Sequence, residues 1–290
     1  MVGTVMSDGL NGSFSWWYWH WHPDLYGGLL LFVGIYLLCV GPFRTWFIKE
    51  EDQGASYWQV TSFITGAVII LFALAGPVHE LSDNYLFSAH MAQHMLVTLV
   101  APPLLLLGTP GWLLRPIVRV KVVLRMGKFL TKPLIAFFFF LSVFSIWHLP
   151  VLYDGALRSH TFHVAEHLLF MMSAVILWWP IMSPLPELPQ ISSPAKLLYL
   201  ILVSIAQTGL FAVITFSDRV IYVYYESLPR LWGLSPLVDQ QIGGIVMKVT
   251  WLAVFVPGIC IVFLVWFNRE ERNDSRMVKN SNVSGRSEDG

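Results

Sequence analysis

The 290-residue chain is 56% hydrophobic and 12% charged, has a mean hydropathy of +0.62, and balances eighteen basic against eighteen acidic residues. That is too little polar surface to cover a soluble globule of this size, so the sequence predicts an all-α integral membrane protein. The zero net charge and the lack of a basic block give no support to a nucleic-acid partner, and Cys39 and Cys260, each inside an apolar run, support neither a disulfide framework nor a thiolate metal cluster.

In chain order, residues 1–24 form an expected outside segment whose aromatic run WWYWHWH reads as an interfacial belt, with His20 and His22 as interfacial residues within it. No basic n-region or small-residue cleavage site precedes the first apolar run, which is therefore expected to be kept as a span. Seven apolar runs approach the roughly 20 helical residues a bilayer core requires: 25–47, 58–78, 85–107, 133–152, 162–182, 196–216 and 242–267. Together they make a transmembrane domain at 25–267, followed at 268–290 by a polar tail whose composition supports no core and predicts disorder.

Lysine and arginine set the expected orientation. Arg44 and Lys49 follow the first run. Arg115, Arg119, Lys121, Arg125, Lys128 and Lys132 follow the third, Lys196 follows the fifth, and five more lie in the tail. The other side carries only Arg158, Arg219 and Arg230. The N-terminus is thus expected outside and the C-terminus in the cytoplasm.

On that topology all nine histidines fall on the outer side. His79 ends run two, His90 and His94 open run three, His148 ends run four, and His160, His163 and His167 open run five. Ionisable groups within spans face a bundle interior or cavity, so a shared outward-facing site is the economical reading. His90/His94 and His163/His167 are i, i+4 pairs, each on one helix face with Cβ atoms about 5–6 Å apart. Such a pair can clamp a metal ion, and imidazole suits copper, zinc, iron and nickel. The candidate ligands are His79, His90, His94, His148, His163 and His167.

Met91, Met95 and Met247 could add soft thioether ligands favouring Cu(I), although methionine is also ordinary filler within spans. Asp154, Glu166 and Asp239 could ligate, or orient histidine rings. Glu166 is expected to point to the side of the histidine face. Gln240, Gln241 and Lys248 are candidates for polar groups in a cavity, and a lysine within a span is a functional candidate by default. Pro102 and Pro103 are expected to break or kink run three near mid-membrane.

The blocks HMAQHMLVTLVAPPLLLLGTPGW (90–112), WHLPVLYDGALRSHTFHVAEH (147–167) and DQQIGG (239–244) closely resemble the multi-span CtaG family of Gram-positive bacteria, over roughly residues 16–268. The resemblance implies an assembly factor for caa-type cytochrome c oxidase in the bacterial plasma membrane. It further implies that the factor handles copper and partners oxidase subunits or other assembly factors. It matches His90, His94, Trp147, His148, His163, Glu166, His167 and Asp239 to the family's motif positions. An unrelated single-span copper donor with a cysteine pair has shared the CtaG name, and this chain has no such pair. Two alternatives stay open at this point. His163 to His167 also fits H-x-x-E-H, the zinc-hydrolase pattern in which the glutamate is general base, and facing histidines can ligate haem.

Overall fold

Within a bilayer every backbone polar group must be satisfied internally, and apolar runs of this length do so as helices. The computed structural model describes residues 15–17, 19, 21–48 and 53–288, with side chains described through residue 273. His20, Lys49 and most of the N-terminal segment therefore lie outside the described residues. Among those described there are helices and turns and no strand.

Six stretches are long and apolar enough to cross a membrane. The first is α1 (Pro23–Val40). The second joins α2 (Tyr57–Ala75) to α3 (Pro77–Asn84). The third runs from α4 (Phe87–Met95) through a π-helical turn (Leu96–Val100) into α5 (Ala101–Gly108). Two short helices, α6 (Gly111–Val118) and α7 (Lys121–Leu130), precede α8 (Pro133–Trp147), and α9 (Pro150–Leu157) follows it. The remaining spans are α10 (His160–Met182), α11 (Ser193–Ala206) with α12 (Thr208–Thr215), and α13 (Pro236–Glu288).

The expected fourth span is shorter than its apolar run. Pro133 and Pro150 each sit at the first position of a helix, where proline's missing N–H costs nothing. Pro133 is the run's own first residue, and the break before Pro150 leaves the 15 residues of α8, roughly 22 Å at 1.5 Å per residue. α7 and α8 count as a seventh span only as a pair bent by 78°. At the other end of the chain, α13 continues past residue 268 into the segment expected to be disordered. Extending a helix already started needs one local hydrogen bond per residue and no core.

The two prolines of run three bend nothing out of the bundle. Pro102 cannot donate to the carbonyl of Thr98, and the indole Nε1 of Trp178 on α10 donates to that oxygen instead, at 3.3 Å. The π turn immediately before them absorbs the ring clash.

The largest core lies among α4, α8, α10, α12 and α13, with Phe87, Phe140, Phe144, Phe170, Phe211 and Trp251 all within it. α4 is at its centre. Gly243 lets α13 approach close enough that an added Cβ would meet the Phe87 ring and Met91, and at Gly244 it would strike Thr215 of α12. By contrast α1 is peripheral: Tyr36 is its buried residue, stacked on Phe63 and donating its hydroxyl to the Gly108 carbonyl at 2.7 Å.

Candidate metal centre

α4 begins with a capping group supplied from far along the chain. Asp239, at the start of α13, accepts from the backbone N–H groups of Phe87 (2.6 Å) and Ser88 (3.1 Å) and from the Ser88 hydroxyl (2.5 Å). A carboxylate at a helix N-terminus satisfies orphan donors and complements the dipole. Asp239 thus accepts from three donors and ties the start of α4 to α13, and none of the three is an imidazole.

One turn further on, His90 and His94 are fully buried, and their Nε2 atoms face each other at 2.7 Å. Across from them on α10, His163 and His167 have ring centroids 4.4 Å apart. The ring of His94 lies 5.4 Å from that of His167 and 5.8 Å from that of His148, at the end of α8. Nitrogens of His90, His94 and His167 come within 4.8 Å of one another, as do donor atoms of Asp83, His90 and His163.

Hydrogen bonding assigns two of the tautomers. His148 Nδ1 faces the Phe144 carbonyl at 2.6 Å, and a carbonyl only accepts, so the proton is on Nδ1 and Nε2 keeps its lone pair. Tyr225 donates its single hydroxyl proton to the Ser82 carbonyl at 2.7 Å. Its oxygen therefore accepts from His90 Nδ1–H at 3.2 Å and from the Tyr153 hydroxyl at 3.3 Å. His90 Nε2 is left bare as well. Burial pushes the phenols of Tyr225 and Tyr153 well above their ordinary range, which keeps both protonated in this chain. With His90 Nε2 bare, the contact at 2.7 Å requires a proton on His94 Nε2.

Several buried side-chain atoms then have no hydrogen-bond partner: His94 Nδ1, His148 Nε2, His163 Nε2, His167 Nε2 and both carboxylate oxygens of Glu166. Glu166 is fully buried, with Oε1 3.7 Å from His94 Nε2. It faces the cluster that the helical spacing expected it to avoid. An unpaired carboxylate costs several kcal/mol to bury. Two donors bound to one ion at about 2 Å each lie about 3–4 Å apart, so the gap between His94 and Glu166 is too long for a hydrogen bond and right for a shared ion. Imidazole with one carboxylate is a donor set that copper or zinc accepts. The residues fit a metal.

The other expected candidates are placed elsewhere. His79 Nδ1 accepts from the Gln93 amide at 3.2 Å, and that amide also donates to the Ala73 carbonyl at 2.9 Å. The proton of His79 is therefore on Nε2, which faces His22 Nε2 at 3.0 Å and Asp83 Oδ2 at 3.6 Å. His79 belongs to an outer layer. So does His22, expected as an interfacial residue, and His160, whose ring is 5.9 Å from that of His22. Met91, Met95 and Met247 lie in the largest apolar core, where they pack. Residues one apart on a helix point about 100° apart, which takes Met91 and Met95 off the histidine face.

Burial pushes the carboxyl of Asp154, on α9, up, and the nearby Arg158 pulls it down. Gln240 accepts from the Ile221 N–H (2.6 Å), and Gln241 donates to the Ser217 carbonyl (3.0 Å), so both tie α13 to the preceding loop. Lys248 donates to the Thr208 hydroxyl at 2.9 Å. The sequence reading missed Asp83, Tyr225 and Tyr153. Asp83 had a signal in its i+4 spacing from His79; the tyrosines had none, because their link to His90 crosses more than 60 residues of chain.

The chain is 25% identical over 262 residues to uncharacterized proteins of Mycobacterium bovis and Mycobacterium tuberculosis, covering 83% of this chain and 39% of each relative. An uncharacterized protein of Mycobacterium leprae is 25% identical over 259 residues, covering 80% and 37%. The chain thus spans well under half the length of these relatives. No solved structure matches. The family model described as cytochrome c oxidase caa3 assembly factor matches residues 34–269, and the chain belongs to that family.

Proposed function

We propose that this chain serves oxidase assembly by holding a copper ion among His90, His94, His148, His167 and Glu166 and passing it on. The observation that carries the reading is the buried, unpartnered Glu166 carboxylate amid imidazole nitrogens that also lack partners. Only a cation, or a proton, relieves that arrangement without rearranging the helices. The basic residues concentrated on the opposite side support an outward-facing site in the plasma membrane.

Copper bound there supplies a soft, exchangeable cation for an oxidase metal centre, and the protein's part is to present lone pairs and manage protons. His90 and His148 offer Nε2 without prior proton loss, because Tyr225 and the Phe144 carbonyl hold their protons on Nδ1. His94, whose Nε2 carries a proton, must move it. Its Nε2 proton has two nearby destinations, its own unpartnered Nδ1 and Glu166 at 3.7 Å. Metal entry and proton displacement are therefore coupled at His94.

Deleting the gene should abolish caa-type oxidase activity in membranes, and growth with added copper should restore it. Loss of activity that copper does not rescue would contradict copper delivery.

A further inference from the structure

His90 and His94 have no exposed surface, so an ion cannot reach them directly. A cavity of about 810 Å³ is walled by α1, α2, α3, α5 and α10. Most of its lining is apolar, but one end is polar and includes Asp83, His163 and His167. His167 is thus reachable from the cavity while belonging to the buried trio.

Asp83 is the partly exposed member of this end. Its Oδ1 accepts from the Ser82 hydroxyl at 2.8 Å. Its Oδ2 stands 3.7 Å from His163 Nδ1, too far for a hydrogen bond and suited to a shared ion, and 3.6 Å from His79 Nε2, which carries a proton. The other nitrogen of His163, Nε2, is buried and unpartnered, and the His163 ring lies 5.3 Å from that of His90. Asp83, His90 and His163 form one donor set, and His90, His94 and His167 form another. His90 is in both.

We propose that Asp83 and His163, with His90 as the shared ligand, form an outer cation site through which a transition-metal ion enters from the cavity and passes to the buried donors. The passage is a ligand exchange in which the ion keeps its oxidation state. Asp83 and His163 are released as His94 and His167 are taken up, and His90 stays bound throughout. The ion is never stripped of every ligand, which is what makes transfer through a low-dielectric interior feasible. A shared His90 also means that the two positions are occupied in turn. The outer one, with a carboxylate and an opening to the cavity, is the more exchangeable. This inference rests on reading the buried cluster as a metal site.

The test uses the full chain purified in detergent, with Cu2+ as probe and a chelator as competitor. Wild type should retain one ion after a chelator wash. Asp83→Asn should retain the same one ion but load it more slowly, on the order of 10-fold, the lower end of what loss of one such partner costs a metal site. In His94→Ala/His167→Ala, one weakly held ion with mixed nitrogen and oxygen ligation should be seen by electron paramagnetic resonance before the wash. Adding Asp83→Asn should remove it. Loading of Asp83→Asn at the wild-type rate would overturn the outer site, as would a weak ion that survives the Asp83 change. Absence of any retained copper in wild type would instead overturn the buried site on which the inference rests. Asp83→Glu, which keeps the carboxylate, should load faster than Asp83→Asn; equal rates would count against ligation by Asp83.

Discussion

Glu166 brings two carboxylate oxygens into a site that offers no donor to either. In the metal-free protein that is a cost, and with an ion bound it becomes a contribution, so one substitution should act with opposite sign in the two states. Glu166→Gln removes the charge while keeping the shape. It should raise the stability of the metal-free protein by about 1–3 kcal/mol and weaken metal binding about 10–100-fold. Thermal unfolding with chelator, set beside unfolding with copper, checks both signs. A Glu166→Gln protein less stable than wild type in chelator would mean that the carboxylate has a structural partner instead. The i, i+4 histidine pairs were legible in the sequence because helical spacing is local. Glu166 was misjudged because its direction depends on where α4 sits, and no spacing within α10 contains that information. The contact of His22 with His79 was illegible for a related reason: an aromatic run suggests a belt, but that contact is made across 57 residues.

At the scale of elements, the site depends on how α4 is held. Its first two backbone N–H groups are bonded to Asp239, more than 150 residues away in the chain, and its face toward α13 is closed by Gly243 against Phe87 and Met91. Asp239→Ala leaves three donors without an acceptor and should destabilise the protein by about 2 kcal/mol, the upper end of capping losses. Asp239→Asn, which keeps an accepting oxygen, should lose less. Thermal unfolding of the two variants ranks them, and an Asn variant as damaged as the Ala variant would argue that charge, not capping, is what Asp239 supplies. The DQQIGG block was visible as a motif, yet its role was not. Asp239, Gln240 and Gln241 each find partners on other elements, and pairings at that separation leave no periodic trace. The π turn ahead of Pro102 is similar, since Trp178, which satisfies Thr98, is 80 residues away.

For the whole molecule, composition and hydropathy were enough to predict a multi-span helical bundle, because the bilayer permits few other solutions. They overstated the fourth span, where the break before Pro150 leaves the 15 residues of α8, and they treated α7 as loop. Lys121, Arg125 and Lys128 mark one stripe of α7, while Val122, Met126 and Phe129 are exposed on it, the pattern of a helix lying along a membrane surface. The bundle brings histidines from α4, α8 and α10 to one level, and the account stands or falls on whether that level holds copper. The most direct measurement is elemental analysis of protein purified from membranes and washed with chelator, wild type beside His94→Ala/His167→Ala. Wild type should retain one copper per chain, and the double variant should be folded and retain none. Equal copper in both proteins, or zinc or haem in its place in wild type, would contradict the account.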